Sequence, residues 1–211
     1  MKLGIIGATG KLGTLLMDEA LKRHLDVTAI IRNPKKLIQA APYIEKDILA
    51  LTHEDITQFD VVISAFGAPQ NDPALFDDVT DHLIDIFTNA STRLIIVGGA
   101  SSLYTDETLT IQLIDTPQIP DFLKVFASPM VNALDKYRNS DINWTFFSPS
   151  LKFDAKGPFS HNIRLGQDVV LTNTQGNSIL TYPDAAQLLI DEALENKYHK
   201  KRFTAVSNLN T

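Results

Sequence analysis

The stretch from Lys2 to Gly13, K-L-G-I-I-G-A-T-G-K-L-G, constrains this chain more than any other. Leu3, Ile5 and Ile6 supply a short, bulky apolar run suited to a buried strand. Leu12, Leu15, Leu16 and Ala20 then recur at helical spacing. Between the two lie Gly7, Gly10 and Gly13. A glycine-rich turn from strand to helix bends tightly and brings backbone amides close to a bound group, because no Cβ stands in the way. Gly7 and Gly10 serve that purpose, and Gly13 lets the helix lie close to its strand. The amide groups and positive dipole end of the helix then face the turn, a position that suits a pyrophosphate.

The spacing is G-x-x-G-x-x-G, whereas the common dinucleotide fingerprint is G-x-G-x-x-G. The context a phosphate-binding turn requires is nevertheless complete: a strand before, a helix after, and a second strand beginning near Asp26. That second strand, Val27 to Ile31, ends at Arg32-Asn33, followed by Pro34, Lys35 and Lys36. The end of this strand is where such a fold meets the adenosine ribose. An acid there favours NAD, whereas an arginine can hold a 2′-phosphate. Arg32 therefore points to NADP, with NAD possible, against the alternative of a solvated basic turn.

Further along, Tyr43 to Lys46 reads as a third short strand with Asp47 at its end, either at an adenine pocket or in a turn. Thr52 and Asp55 have the spacing of a helix cap, which leaves His53 without need of a catalytic role. Val61 to Ala65 is a near-continuous apolar run entering Phe66-Gly67, as expected of a parallel strand covered on both faces. Leu75, Val79, Leu83 and Ile86 share one helical face, flanked by His82. Arg93 to Val97 leads into Gly98-Gly99-Ala100-Ser101-Ser102. Strands alternating with helices at this pitch predict a doubly wound parallel sheet, an α/β fold occupying residues 1–211 as a single domain, with a small C-terminal extension on the substrate side. In such a sheet, ligands bind beyond the carboxyl ends of the strands. The turns at Gly7, Arg32, Asp47, Phe66 and Gly98 should converge there.

The second half is less regular. Residues 103–121 read as an irregular rim, and a helix follows around Lys124, kinked or restarted at Ser128-Pro129, with Met130, Ala133, Leu134 and Tyr137 as its buried stripe. Trp144 to Phe147 is a sixth strand ending at Ser148-Pro149-Ser150. Residues 151–166 read as a second long loop, and 169–171 with 178–180 as the arms of a hairpin. The last helix should bury Ala186, Leu189, Ile190, Ala193 and Leu194. Phe203 to Val206 can add a strand, and Lys197 to Arg202 reads as a solvated basic helix end.

Composition narrows the chemistry. The 211 residues include no cysteine, which excludes disulfides, thiolate metal sites, iron–sulfur clusters and cysteine nucleophiles and fits a cytoplasmic protein. A net charge of −6 argues against nucleic acid as a partner. No run approaches the ~18 apolar residues of a membrane span. The five histidines lie too far apart for a local metal motif, so no metal is expected. G-x-S-x-G and G-x-x-x-x-G-K-[ST] are both absent, and no tyrosine has lysine four places on.

Five segments, G-A-T-G-K-L-G at 7–13, I-R-N-P at 31–34, D-V-V-I-S-A-F-G at 60–67, L-I-I-V-G-G-A at 94–100 and N-W-T-F-F-S-P at 143–149, together resemble the atypical short-chain dehydrogenase/reductase superfamily. Within it the chain is most similar to the NADH-flavin reductases of the nitrogen-metabolite-regulator-like, NAD(P)H-binding group. V-G-G-A-S-S-L, I-D-T-P, R-L-G and Y-P-D-A-A fall in that group's order. The resemblance implies a Rossmann fold and a nicotinamide cofactor lying across the groove, with hydride passing to a flavin (FMN or FAD), a quinone or a similar small-molecule acceptor. By position, Gly7, Thr9, Gly10, Lys11 and Leu12 would hold the pyrophosphate, Arg32 the ribose or 2′-phosphate, and Asp47 the adenine edge. Phe66, Gly67, Gly98, Gly99 and Ser148 would line the nicotinamide half. Ser101 and Lys124 correspond to the superfamily's catalytic serine and lysine. Its catalytic tyrosine has no counterpart, with Leu123 beside Lys124 where similar sequences carry one. Carbonyl reduction needs a proton donor for the developing alkoxide, whereas flavin reduction can draw protons from solvent, so the departure favours flavins and quinones. Two other readings stand beside it: a non-catalytic redox sensor acting through a protein partner, and a nucleotide-sugar epimerase or dehydratase. A monomer or homodimer is expected.

Overall fold

The computed structural model describes residues 1–208. The chain begins with β1 (Lys2–Ile6), α1 (Lys11–Lys22), β2 (Asp26–Ile31) and β3 (Tyr43–Glu45). It continues with α2 (His53–Thr57), β4 (Val61–Ser64), α3 (Leu75–Phe87), β5 (Arg93–Val97), α4 (Asp121–Arg138) and β6 (Trp144–Ser148). The last part comprises β7 (Lys152–Asp154), β8 (Ile163–Gly166), β9 (Ile179–Thr181), α5 (Tyr182–Glu195) and β10 (Lys201–Ser207). Eight strands form one sheet in the order β3-β2-β1-β4-β5-β6-β10-β8. Every neighbouring pair is parallel except β10 with β8. The chain winds outward from β1 through β2 to β3, then crosses back to lay β4 on the other side of β1. The strand order therefore reverses between β1 and β4, and a crevice opens beyond their carboxyl ends.

Strand alternation divides the core in two. Leu3, Ile5, Ile63 and Phe147 face α1 and α5, packing with Leu16, Met17, Leu189 and Ile190. Ile6, Val62, Ile96 and Phe146 face the other way, against Ile56, Leu83, Leu134 and Tyr137 of α2, α3 and α4. Burial on both faces explains why the central strands read as continuous apolar runs. Each fully buried Leu, Ile or Phe contributes about 1.5–3 kcal/mol. The expected cap of α2 is present: Asp55 N–H donates to Thr52 Oγ1, and Thr52 N–H donates to Asp55 Oδ2 at 2.8 Å. His53 and His82 each meet a backbone carbonyl, of Ile86 and Leu51 respectively.

The C-terminal half departs from the sequence reading in five places. Residues 151–166 are not one loop, because they contain β7 and β8. The hairpin does not form: β9 pairs in parallel with β7, and Val169 makes only an isolated bridge to Tyr104. The turn itself exists, held by Asn173 Oδ1, which accepts from the amides of Gln175 and Asn177 at 3.0 Å each, but its arms diverge to different partners. α4 does not restart at Ser128-Pro129 but runs as one helix with Pro129 inside it. The carbonyl that Pro129 deprives of a donor belongs to Val125, which is exposed and within reach of water. Leu194 is exposed, since the end of α5 is closed instead by the buried Arg93, which donates to the carbonyls of Glu192 and Ala193 and pairs with the Glu192 carboxylate at 2.8 Å.

The fifth departure is Arg202, which is not solvated but 3 % exposed. α5 ends at Asn196 in the left-handed conformation, and β10 starts at Lys201. Arg202 thus enters the sheet, where Nε and Nη2 donate to Asp168 Oδ1 at 2.9 and 2.5 Å and Nη1 donates to the Ser102 carbonyl at 2.7 Å. Burial lowers its pKa from the ordinary arginine value, and Asp168 offsets only part of that. The pair ties the rim after β5 to β10.

Candidate functional site

The turn after β1 has the backbone its glycines anticipate. Gly7 adopts φ +77°, in the left-handed region, and its carbonyl accepts from the Gly10 amide at 2.8 Å. A Cβ on Gly7 would stand 3.1 Å from the Ala65 carbonyl oxygen, so the turns after β1 and β4 touch. A Cβ on Gly13 would stand 2.1 Å from the Gly7 carbonyl oxygen, so only glycine lets α1 start this close to the turn. Gly10 is the N-cap residue, no side chain caps α1, and its first turn holds no acidic residue. A twelve-residue helix thus presents its uncapped amino end to the crevice, an arrangement fitted to a pyrophosphate.

The crevice is a groove of about 300 Å³ that gathers Gly7, Thr9, Gly10, Arg32, Asp47, Phe66 and Gly67. Lys11 is exposed at the start of α1, and Leu12 is buried, so Leu12 could contribute only its backbone amide. At the far end, after β2 and β3, Arg32 is highly exposed, with Nη1 3.7 Å from Asp47 Oδ2. Asp47 also accepts from the Leu49 amide at 3.0 Å, so it is at once a turn residue and a groove residue. The groove adds residues that sequence reasoning did not assign to the site: Asn33, Lys36, Lys46, Ile48 and Leu75. Lys46 could have been found from its place at the carboxyl end of β3 beside Asp47. Its ammonium is held by Asp55, with Nζ 2.6 Å from Oδ2. Burial raises the Asp55 pKa, but hydrogen bonds from Lys46 and Thr52 outweigh that and hold the carboxyl below its ordinary value. Arg32, Lys36 and Lys46 thus line the groove together with Asp47.

The remaining predicted residues lie outside this groove, at or beyond the carboxyl ends of β5 and β6 and on α4. Gly98 is packed so closely that an added Cβ would meet the Phe146 ring at 2.2 Å, and one on Gly99 would meet Met130 Sδ at 2.8 Å. These two glycines let β6 and α4 close on the end of β5. Ser101 is half-buried in the short 3₁₀ turn Ala100–Ser102. Ser148 is fully buried, and its Oγ has no hydrogen-bond partner among the described residues. Lys124, in the first turn of α4, pairs with Asp121 at 2.9 Å. Among the described residues no three His, Cys, Asp or Glu side chains cluster as a metal site would require, and no helix is long and apolar enough to cross a membrane.

A doubly wound sheet with a strand-order reversal, a glycine turn there and an uncapped helix facing it defines a dinucleotide-binding protein of the Rossmann class. Residues 7–164 match the NAD(P)H-binding family, and the chain belongs to it. It is 43% identical to the uncharacterized protein YwnB of Bacillus subtilis, over 98% of this chain and 99% of that one. A Streptococcus pneumoniae protein described as "a putative NADH-flavin reductase" shares its fold with a TM-score of 0.93 at 38% identity, over 99% of this chain and all of that one. A Lactobacillus casei protein superposes with a TM-score of 0.89 at 25% identity over the full length of both. These likenesses agree with the atypical short-chain dehydrogenase/reductase group read from the sequence.

Proposed function

We propose that this chain is an NAD(P)H-dependent oxidoreductase that reduces a flavin, a quinone or a similar small acceptor, with NADPH as its preferred donor. The observation that carries the reading is the groove: an uncapped α1 at the pyrophosphate position and Arg32, Lys36 and Lys46 at the ribose end. When bound, the dinucleotide supplies one hydride, two electrons with one proton, and the acceptor takes its second proton from water. The chain's own residues bind and orient. The amides at the start of α1 hold the paired phosphates, and Arg32 with Lys36 receives a 2′-phosphate. The Lys46–Asp55 pair fixes one ammonium where a second negative charge would sit. Gly98 and Gly99 draw β5, β6 and α4 together at the redox end. Ser101 offers a hydroxyl near the acceptor, Ser148 lies fully buried behind it, and Lys124 adds a cation to the rim.

The superfamily tyrosine is lacking, and a flavin or quinone needs none, since its reduced form draws protons from solvent. The description of the Streptococcus pneumoniae relative supports the same reading. The experiment is the steady loss of 340 nm absorbance when the protein is added to NADPH with FMN or menadione. Turnover with either supports the proposal. Tight binding of NADPH without turnover of any acceptor would replace it with the redox-sensor reading, which the same lack of a tyrosine favours.

A further inference from the structure

A second cavity, of about 270 Å³, opens at the other end of the sheet from the groove. Its walls come from the last turn of α4 (Arg138), the start of β6 (Trp144), the segment after β8 (Asp168) and the residues that lead into β10 (Lys200 to Arg202). β6 and β10 run parallel to β1, so their amino ends lie opposite the carboxyl ends that carry Gly7 and Arg32. Arg202 is in register with Phe146 and therefore points to the α4 face of the sheet, where Trp144 also packs.

Four cations, Arg138, Lys200, Lys201 and Arg202, line this cavity against the single carboxylate of Asp168, in a chain whose net charge is −6. That carboxylate is already shared: Oδ1 accepts from Arg202 Nε and Nη2 and lies 3.5 Å from Arg138 Nη2. Lys200 Nζ meets only the Asp141 carbonyl, at 3.2 Å, and Lys201 has no side-chain partner among the described residues. Burial first, then the like charge of Arg138, hold the Arg202 pKa below the ordinary arginine value despite Asp168. An anion among these groups removes the repulsion between them.

The backbone adds an independent sign. Lys200 has φ +50°, in the left-handed region that glycine and asparagine enter most easily. Asn196, which ends α5 four residues earlier, occupies the same region with the residue suited to it. A turn that needed only this shape would be more stable with asparagine or glycine at position 200 as well. The lysine there strains the backbone and sets an ammonium on the cavity wall.

We propose that this cavity is a second binding site of the protein, for a small phosphate-bearing anion, with Arg138 and Lys200 as its principal donors. A tetrahedral phosphate presents oxygens in several directions and accepts from cations on separate elements, here the end of α4 and the turn before β10. A planar carboxylate is matched by one guanidinium, and Asp168 already fills that place on Arg202. The volume suits free phosphate or a small phosphate monoester. The assignment is independent of the oxidoreductase reading.

The test titrates inorganic phosphate into ¹⁵N-labelled protein at constant ionic strength, balanced with sodium chloride. The amides of Lys200 to Arg202 are followed beside those of Thr9 to Gly13, so that phosphate in the groove is counted separately. Saturable shifts at Lys200 to Arg202 are expected, and a linear drift there without saturation overturns the proposal. Glycerol phosphate distinguishes the sources: tighter binding than inorganic phosphate assigns the site to a monoester, and weaker binding assigns it to free phosphate. Acetate that saturates the same amides as tightly as phosphate overturns the phosphate assignment. Arg138→Gln and Lys200→Asn should each weaken phosphate about 5-fold, whereas Lys22→Gln, which removes an exposed charge on α1, should not. Lys200→Asn should also melt at or above the wild-type temperature, because asparagine relieves the strained backbone. Wild-type phosphate affinity in both cavity variants overturns the site, and an equal loss in Lys22→Gln does so too, by tracing the effect to net charge.

Discussion

Replacing Gly13 with alanine tests the turn at its tightest point. The added Cβ would lie 2.1 Å from the Gly7 carbonyl oxygen and 2.8 Å from Ala8 Cα, both backbone atoms that no rotamer change can move aside. Ordinary contact lies at roughly 3.5–4 Å, so α1 must back away from the turn by about 1 Å or more. Overpacking of this kind costs about 1–3 kcal/mol, and alanine in a helix returns about 1 kcal/mol. The net loss of about 0–2 kcal/mol corresponds to a fall in Tm of at most about 8 °C for a domain this size. The larger effect falls on the ligand. Charge-assisted hydrogen bonds contribute about 1.5–3 kcal/mol each, so moving two α1 amides out of reach of a pyrophosphate should weaken NADPH by at least about 100-fold. Calorimetry reads the affinity and circular dichroism the melting. Gly67→Ala serves as the stability control, since nothing lies within 4 Å of its added Cβ. A Gly13→Ala protein that binds NADPH as tightly as wild type would refute the reasoning, because the phosphates could not then rest on these amides.

Three further outcomes follow from the same geometry. Arg32→Ala should weaken NADPH about 10-fold by calorimetry and NADH hardly at all, the modest size reflecting the exposure of this side chain; an equal effect on both would remove the 2′-phosphate assignment. Arg202→Met leaves the Ser102 carbonyl without its side-chain donor and Asp168 with only Arg138 at 3.5 Å, and should cost about 3 kcal/mol in urea unfolding, with loosening of the rim after β5 visible as faster amide exchange. Asp55 titrates below its ordinary value in the folded protein, so its stabilisation is complete above the unfolded carboxylate value of about 4 and is lost as pH falls through the lower folded value. Melting curves between pH 3 and 7 should therefore show a fall below about pH 4 that Asp55→Asn reduces; an unchanged acid limb would show that the Lys46–Asp55 pair contributes nothing.

The first half of the fold was legible because its determinants are local. The turn at Gly7 to Gly13 needs particular backbone angles and clearances, and only glycine provides them, so the need is written at those positions. β4 and β5 are covered on both faces and announce it as apolar runs. The groove residues Arg32, Asp47 and Phe66 follow directly from the strand ends. The second half was not legible because its partners are distant. β7 and β9 are three residues each and are stabilised by one another across 24 intervening residues, which no local pattern records. Whether Arg202 is solvated or buried depends on Asp168, and the sequence around Arg202 reads as a basic helix end. Lys46 and Leu75 reach the groove only because β3 and α3 are brought to the same crevice as β1.

Paired phosphates docked on the amino end of α1 would be felt first by the amides there. Backbone NMR of the ¹⁵N-labelled protein during titration with NADPH tests that docking directly, residue by residue. The largest shifts are expected at the amides of Thr9 to Gly13, with a second set at Arg32 to Lys36 and a saturation curve common to both. Saturating NADPH that leaves the Thr9 to Gly13 amides unmoved, or that shifts only residues on the opposite end of the sheet such as Lys200 to Arg202, would contradict it.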